Sequence, residues 1–197
     1  MDTQILLYDG FDELDGIGPF EVLRTAQERG GPFDVSLVTL EPTDRVIASH
    51  GLRIEPDGVL DDPDLLLVPG GGWSDGGGVR REYEDGTLPD AISAAAADGA
   101  IVASICTGAL LLAKGGLLDG RPATTHHTAL DDLDRTADLV DARVVDDGNV
   151  LTAGGITSGI DLALWIVERE AGADLADGIA VTLEHDRSVD RYRTATE

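Results

Sequence analysis

Apolar residues in this chain fall into short runs separated by polar and glycine-rich connections. Residues 4–8, ending Ile5-Leu6-Leu7-Tyr8, read as a first buried strand, and 33–40, where apolar and small polar residues alternate, as a second. Residues 65–68 form a short run ended by Pro69-Gly70-Gly71-Gly72, and 100–105 have the near-continuous apolar character of a central strand in a parallel sheet. Helical spacing appears between these runs. Pro19 opens a helix that reaches about residue 29, leaving 9–18 as a loop. Further helices are predicted over 89–98, 108–114, 127–136 (short), 157–170 and 173–184. Residues 46–54 suit a hairpin or extended crossing at Ser49-His50-Gly51, and 121–124 a short strand. Residues 143–145 and 150–151, joined by Asp146-Asp147-Gly148-Asn149, have hairpin turn chemistry. The alternation of strands and helices predicts a doubly wound α/β sandwich, one domain over 1–197 without linker or repeat.

Composition agrees and narrows the class. Apolar content of 42% in 197 residues supplies a full core. No apolar stretch approaches membrane-spanning length and no basic leader precedes Ile5, so a cytoplasmic protein is expected. One cysteine rules out an intrachain disulfide and an all-cysteine metal site.

Charge changes the picture more. Acidic residues number 38 against 14 basic ones, Lys114 being the single lysine, and the net charge is -24. The acids are spread along the whole chain, which repels nucleic acid and anionic lipid and argues against both as partners. Such a surface suits a high-salt cytosol, where ions screen self-repulsion within roughly 3 Å at 1 M.

The candidate chemistry centres on Cys106, in Ser104-Ile105-Cys106-Thr107-Gly108. It falls at the corner between the predicted central strand and a helix, the carboxyl edge at which α/β sheets bind ligands. A helix start favours a thiolate there, so a lowered thiol pKa is expected. Gly108 lets helix and strand approach, as in a nucleophile elbow. The Gly70–Gly72 loop could aim N–H groups at a substrate beside the thiol, but lacks the lysine and hydroxyl residue of a phosphate loop. Gly154-Gly155-Ile156-Thr157-Ser158-Gly159 has the wrong spacing for a dinucleotide and reads as pocket wall and helix cap. His126 and His127 should point in different directions on any regular element; His126 is either a partner of Cys106 or a solvated or supporting group. No histidine pair has metal-ligand spacing, so no metal is expected. Asp15, between Leu14 and Ile17, is a loop aspartate or cap, or else a half-buried carboxyl that stays protonated beside the thiol.

Taken with Glu13-Leu14-Asp15-Gly16-Ile17-Gly18-Pro19, Val68-Pro69-Gly70-Gly71, Gly120-Arg121-Pro122-Ala123-Thr124-Thr125-His126 and the run from Asp147 to Asp161, the chain resembles the DJ-1/PfpI superfamily, and within it the isonitrile hydratase branch. The resemblance implies a flavodoxin-like, mostly parallel sheet between helices, and a homodimer. It implies Cys106 as nucleophile, Asp15 as acid, and no cofactor. N–H groups at Gly71 and Thr107 would form an oxyanion pocket lined by the Thr107 side chain, Gly155 and Ile156. The implied reaction hydrates a small uncharged isocyanide to an N-formamide through a Cys106 thioimidate. Two departures bear on substrate: the chain ends soon after Glu184, and His127 stands where the hydratases carry an aromatic residue. The same residues suit three alternatives. They are a glyoxalase- or deglycase-like enzyme acting on methylglyoxal, a PfpI-like peptidase, and a redox- or ligand-sensing domain in which Cys106 becomes a sulfinate. With so little chain after residue 186, a helix-turn-helix domain is not expected.

Overall fold

The computed structural model describes residues 1–74, 76–188 and 190–194. The chain opens with β1 (Asp2–Leu6), α1 (Glu13–Glu28) and β2 (Asp34–Thr39). A small antiparallel hairpin of β3 (Val46–Ile47) and β4 (Arg53–Ile54) follows, then β5 (Gly58–Val59) and β6 (Leu65–Val68). Helices α2 (Gly78–Asp85) and α3 (Thr87–Ala97) lead to β7 (Ile101–Ile105), which runs through a 3-10 turn at Cys106–Gly108 into α4 (Ala109–Lys114). The outlying strands β8 (Pro122–Ala123) and β9 (Asp138–Leu139) flank α5 (Leu130–Leu133). The hairpin β10 (Val144–Asp147) and β11 (Val150–Ala153), α6 (Ser158–Ala171), α7 (Ala173–Thr182) and β12 (Arg191–Arg193) complete the fold.

The main sheet has the order β12-β10-β11-β7-β6-β1-β2-β5, parallel throughout except for the β10–β11 hairpin. This is the flavodoxin-like, doubly wound arrangement expected. Strands buried on both faces must be apolar all round. β6 (Leu-Leu-Leu-Val) is apolar and buried at every position, whereas β1, buried after its first residue, also carries Thr3 and Gln4 inside. Helix α6 buries Leu162 to Val167 without a break, packing between the sheet and helices α1 and α7. No described helix is long and apolar enough to cross a membrane.

After β2 and β5 on one side of β1, the chain returns to place β6 on the other side. The carboxyl ends of β1, β6 and β7 therefore open onto a switch point, the crevice where such sheets hold ligands.

Three local features differ from the expectations. Helix α1 begins at Glu13, not Pro19, because the Asp12 side chain caps it by accepting the Leu14 N–H at 3.1 Å. Pro19 is carried inside the helix, so Asp15 lies in a helical first turn rather than a loop. Helix α2, polar and arginine-rich, has only Val79 and Tyr83 as large apolar residues, too few to mark it in the sequence. Strands β5, β9 and β12 have two or three residues each, too short for a period-2 pattern.

Candidate active site

Three corners meet at the switch point. β7 delivers Cys106, β6 delivers the loop Pro69-Gly70-Gly71, and the chain after β1 delivers Tyr8 and then α1 with Asp15. Cys106 has φ 56°, a left-handed conformation that costs a non-glycine residue about 1–3 kcal/mol. Its backbone is tied on both sides: its N–H donates to Gly154 O at 2.9 Å, and Thr125 Oγ1 donates to its carbonyl at 2.7 Å. Gly108 is required here, since a Cβ would lie 2.5 Å from Val68 O. Gly70 is required too. A Cβ there would lie 2.7 Å from Asp15 Oδ2 and 2.8 Å from Cys106 Cβ.

Asp15 is fully buried. Its Oδ2 accepts the Gly70 N–H at 3.0 Å, while Oδ1 has no hydrogen-bond partner among the described residues. Burial, with the charge of nearby Asp12 adding to it, pushes the carboxyl up to about 8, against the pull of the Gly70 N–H and the Cys106 thiol. At neutral pH it is a carboxylic acid.

The thiol departs from expectation. Burial and the Asp15 charge push Cys106 up to about 12, although the N–H groups of Ile156 and Thr107 favour the thiolate. The helix start cannot outweigh a site only 6% exposed with a carboxyl against the sulfur. The resting pair is therefore a neutral thiol beside a neutral acid.

Gly71 also departs. Its N–H donates to Thr107 Oγ1 at 3.0 Å, and the Thr107 hydroxyl donates back to Gly71 O at 2.6 Å. The backbone donors that reach the sulfur come from Thr107 and Ile156. Ile156 leaves its side chain exposed, and Gly155 lines the neighbouring cavity.

His126 and His127 do not diverge. Their rings lie together with centroids 4.2 Å apart and planes tilted by 39°, because His126 caps a 3-10 turn (His127–Ala129) instead of sitting inside a regular element. His126 Nδ1 lies 2.8 Å from Thr128 Oγ1 and accepts the Thr128 N–H. Burial and His127 hold its pKa below the ordinary value, favouring the neutral ring. Among the described residues no hydrogen bond joins it to Cys106.

Asp12, Glu13 and His50 bring potential ligand atoms within 4.8 Å of one another, a cluster that sequence spacing does not show. The Glu13 carboxylate already accepts from the His50 and Leu52 N–H groups, Ser49 Oγ and the His50 ring. Partial burial opposes ionisation, but the His50 bond and the backbone donors outweigh it and hold Glu13 at about 2. The cluster clasps the β3–β4 hairpin onto the start of α1. A cavity of about 650 Å³ opens on the other side of the corner, lined by Thr125, His127, Leu130, Arg143, Gly154 and Gly155 among others. Its polar and apolar walls combine residues from distant segments.

Residues 2–169 match the DJ-1/PfpI family. The chain belongs to the DJ-1/PfpI family. It is 38% identical over 184 residues to isonitrile hydratase of Pseudomonas putida, an alignment covering 91% of this chain and 76% of the hydratase. Among solved structures, a THiJ/PfpI family protein from Pseudomonas syringae superposes with a TM-score of 0.84 at 28% identity, over 95% of this chain and 76% of that one. Drosophila melanogaster DJ-1beta superposes with a TM-score of 0.82 at 28% identity, over 94% and 98%.

Proposed function

We propose that this DJ-1/PfpI protein hydrates a small, uncharged isocyanide to its N-formamide, with Cys106 as nucleophile and Asp15 as acid. The observation that carries the reading is a fully buried carboxyl, protonated at neutral pH, against the sole cysteine. Similarity to isonitrile hydratase supports the substrate class.

The terminal carbon of an isocyanide needs a nucleophile and a proton at the same atom. Cys106 Sγ bonds to that carbon while Asp15 delivers its proton to it. The carboxyl's other oxygen takes the proton leaving sulfur, and a thioimidate results. Water then adds to the thioimidate carbon and a proton passes to nitrogen. The C–S bond breaks, sulfur recovers a proton, and the N-formamide departs. The Thr107 and Ile156 N–H groups stabilise negative charge on sulfur as it leaves. No step draws on a metal or cofactor. Asp15 is an acid only while protonated, so kcat/KM should fall as pH rises through about 8.

The test is turnover of p-nitrophenyl isocyanide in molar KCl by wild type, Cys106→Ala and Asp15→Asn. Wild type should turn over, Cys106→Ala should be inactive, and Asp15→Asn should lose roughly 10²–10⁴-fold. A folded wild type without turnover removes the hydratase reading.

Redox sensing is the second reading, favoured by N–H donors aimed at the sulfur, which suit a sulfinate. A stable two-oxygen adduct on Cys106 after mild peroxide, without isocyanide turnover, would select it. The peptidase reading needs a Cys–His pair and the glyoxalase-like reading, which uses the same cysteine and acid, would be favoured by a histidine close to Cys106; His126 is held by Thr128 instead. We further read the protein as a homodimer in a high-salt cytosol. Exposed Leu14 and Ile156, adjoining the site, and the net charge of -24 support this.

A further inference from the structure

Tyr8 lies two residues past β1, 6% exposed, in a position that the hydratase reading leaves without a role. Its phenol donates to Pro69 O at 2.7 Å. The N–H of that same peptide unit, carried by Gly70, donates to Asp15 Oδ2 at 3.0 Å. One peptide plane therefore holds a phenol at one end and the acid at the other. The next peptide is fixed as well, because Gly70 O accepts the Asp12 N–H at 2.8 Å.

We propose that Tyr8 is a positioning residue for Asp15: its hydroxyl locks the Pro69–Gly70 peptide so that the Gly70 N–H stays on the carboxyl. Two physical effects act together. The hydrogen bond fixes the rotation of the peptide plane, which glycine at position 70 would otherwise leave soft. It also polarises the amide, because hydrogen bonds in a chain strengthen one another in a low-dielectric interior. The Gly70 N–H is the one N–H donor to this carboxyl among the described residues, so burial and this donor are the main opposing influences on Asp15.

The phenol can serve through the whole working pH range. Burial, then the charges of Asp15, Cys106, Glu82 and Asp12, hold Tyr8 well above its ordinary value, so it remains a donor. Asp15 itself is faced by Asp12 and Cys106. Weakening its N–H donor reduces the larger of the two influences that stabilise the carboxylate, the other being the Cys106 thiol, and leaves burial and the Asp12 charge in place. The titration of Asp15 should therefore move upward when the phenol is removed.

The proposal rests on Asp15 being the acid of the proposed reaction, but its test does not use turnover. The Asp15 carboxyl is titrated by carbon NMR in aspartate-labelled protein in molar KCl, with Asp15→Asn assigning the resonance. Tyr8→Phe should raise its midpoint above that of wild type by about half a unit or more. Losing the phenol strands a buried carbonyl, so Tyr8→Phe could fail to fold. 3-Fluorotyrosine at position 8, a stronger donor of nearly the same shape, should lower the midpoint and decides the matter in that case. Midpoints unchanged in every folded variant would overturn the positioning role and leave Tyr8 as packing. Absence of isocyanide turnover would overturn the hydratase reading and leave the Tyr8 titration result standing.

Discussion

A buried acid that stays protonated has a thermodynamic signature at its own position. Between about pH 4, where an unfolded aspartate ionises, and about pH 8, the folded Asp15 retains a proton that the unfolded chain has released. The Asp15 contribution is intact below pH 4 and is lost as pH rises through about 8, because ionising the buried carboxyl carries the cost of its desolvation. Asp15→Asn cannot ionise. Its stability relative to wild type should rise from pH 4 to pH 8 by an amount on the order of 1–5 kcal/mol, read from denaturant midpoints at each pH. An Asp15→Asn protein whose advantage does not grow with pH would show that Asp15 ionises as readily in the fold as outside it. The identity of this acid was only half legible beforehand. Leu14 and Ile17 marked Asp15 as flanked by apolar groups, but its burial depends on a helix start that Asp12 sets and Pro19 disguised. The thiol pKa ran against the local expectation for the same kind of reason. A helix start is visible in sequence, whereas the desolvation that overcomes it is a property of the packed corner.

Among the elements, the loop between β11 and α6 is held from outside the site. Arg143 Nε donates to Asp161 Oδ2 at 2.6 Å and Nη2 to Thr157 Oγ1 at 2.9 Å. Its carbonyl accepts the Gly154 N–H at 3.0 Å, and Gly154 O accepts the Cys106 N–H at 2.9 Å. Asp161 also receives His185 Nε2 and the Ser188 N–H, both at 2.9 Å, which joins the loop to the chain after α7. Arg143→Met should leave Asp161 short of a cation and release Thr157. The expected loss is about 1–3 kcal/mol of stability, reduced from that of a fully buried pair because Arg143 is partly exposed, together with a fall in kcat of about tenfold. Urea midpoints and kcat measured on the same preparation check both, and a kcat equal to wild type would mean that the Ile156 N–H does not depend on this anchor. The β10–β11 hairpin and the helix after it were readable from turn chemistry and apolar runs. Arg143 and Asp161 gave no local sign of pairing, being 18 residues apart.

For the molecule as a whole, charge is the basis of the proposed high-salt habit. A net charge of -24 in 197 residues produces self-repulsion that salt screens and dilute buffer does not. In molar KCl the protein should sediment as a folded homodimer. In dilute buffer its circular dichroism melt should shift to lower temperature, with the dimer weakening in parallel. Equal melts in both buffers would remove the high-salt reading, and a monomer mass in molar KCl would remove the dimer.

The layered class, the central strands and the corner cysteine are written locally in the chain. Apolar runs carry the strand period, glycine stands where backbones must touch, and the one cysteine falls between a strand and a helix. Packing supplied what local pattern could not. It placed Asp15 against Cys106, engaged the Gly71 N–H with Thr107, turned His126 towards Thr128 and hung the acid on a peptide held by Tyr8. These contacts join residues far apart along the chain, Tyr8 and Pro69 by 61 positions and Asp15 and Cys106 by 91. Their energies depend on burial and orientation, and the order of the strands in the sheet creates both.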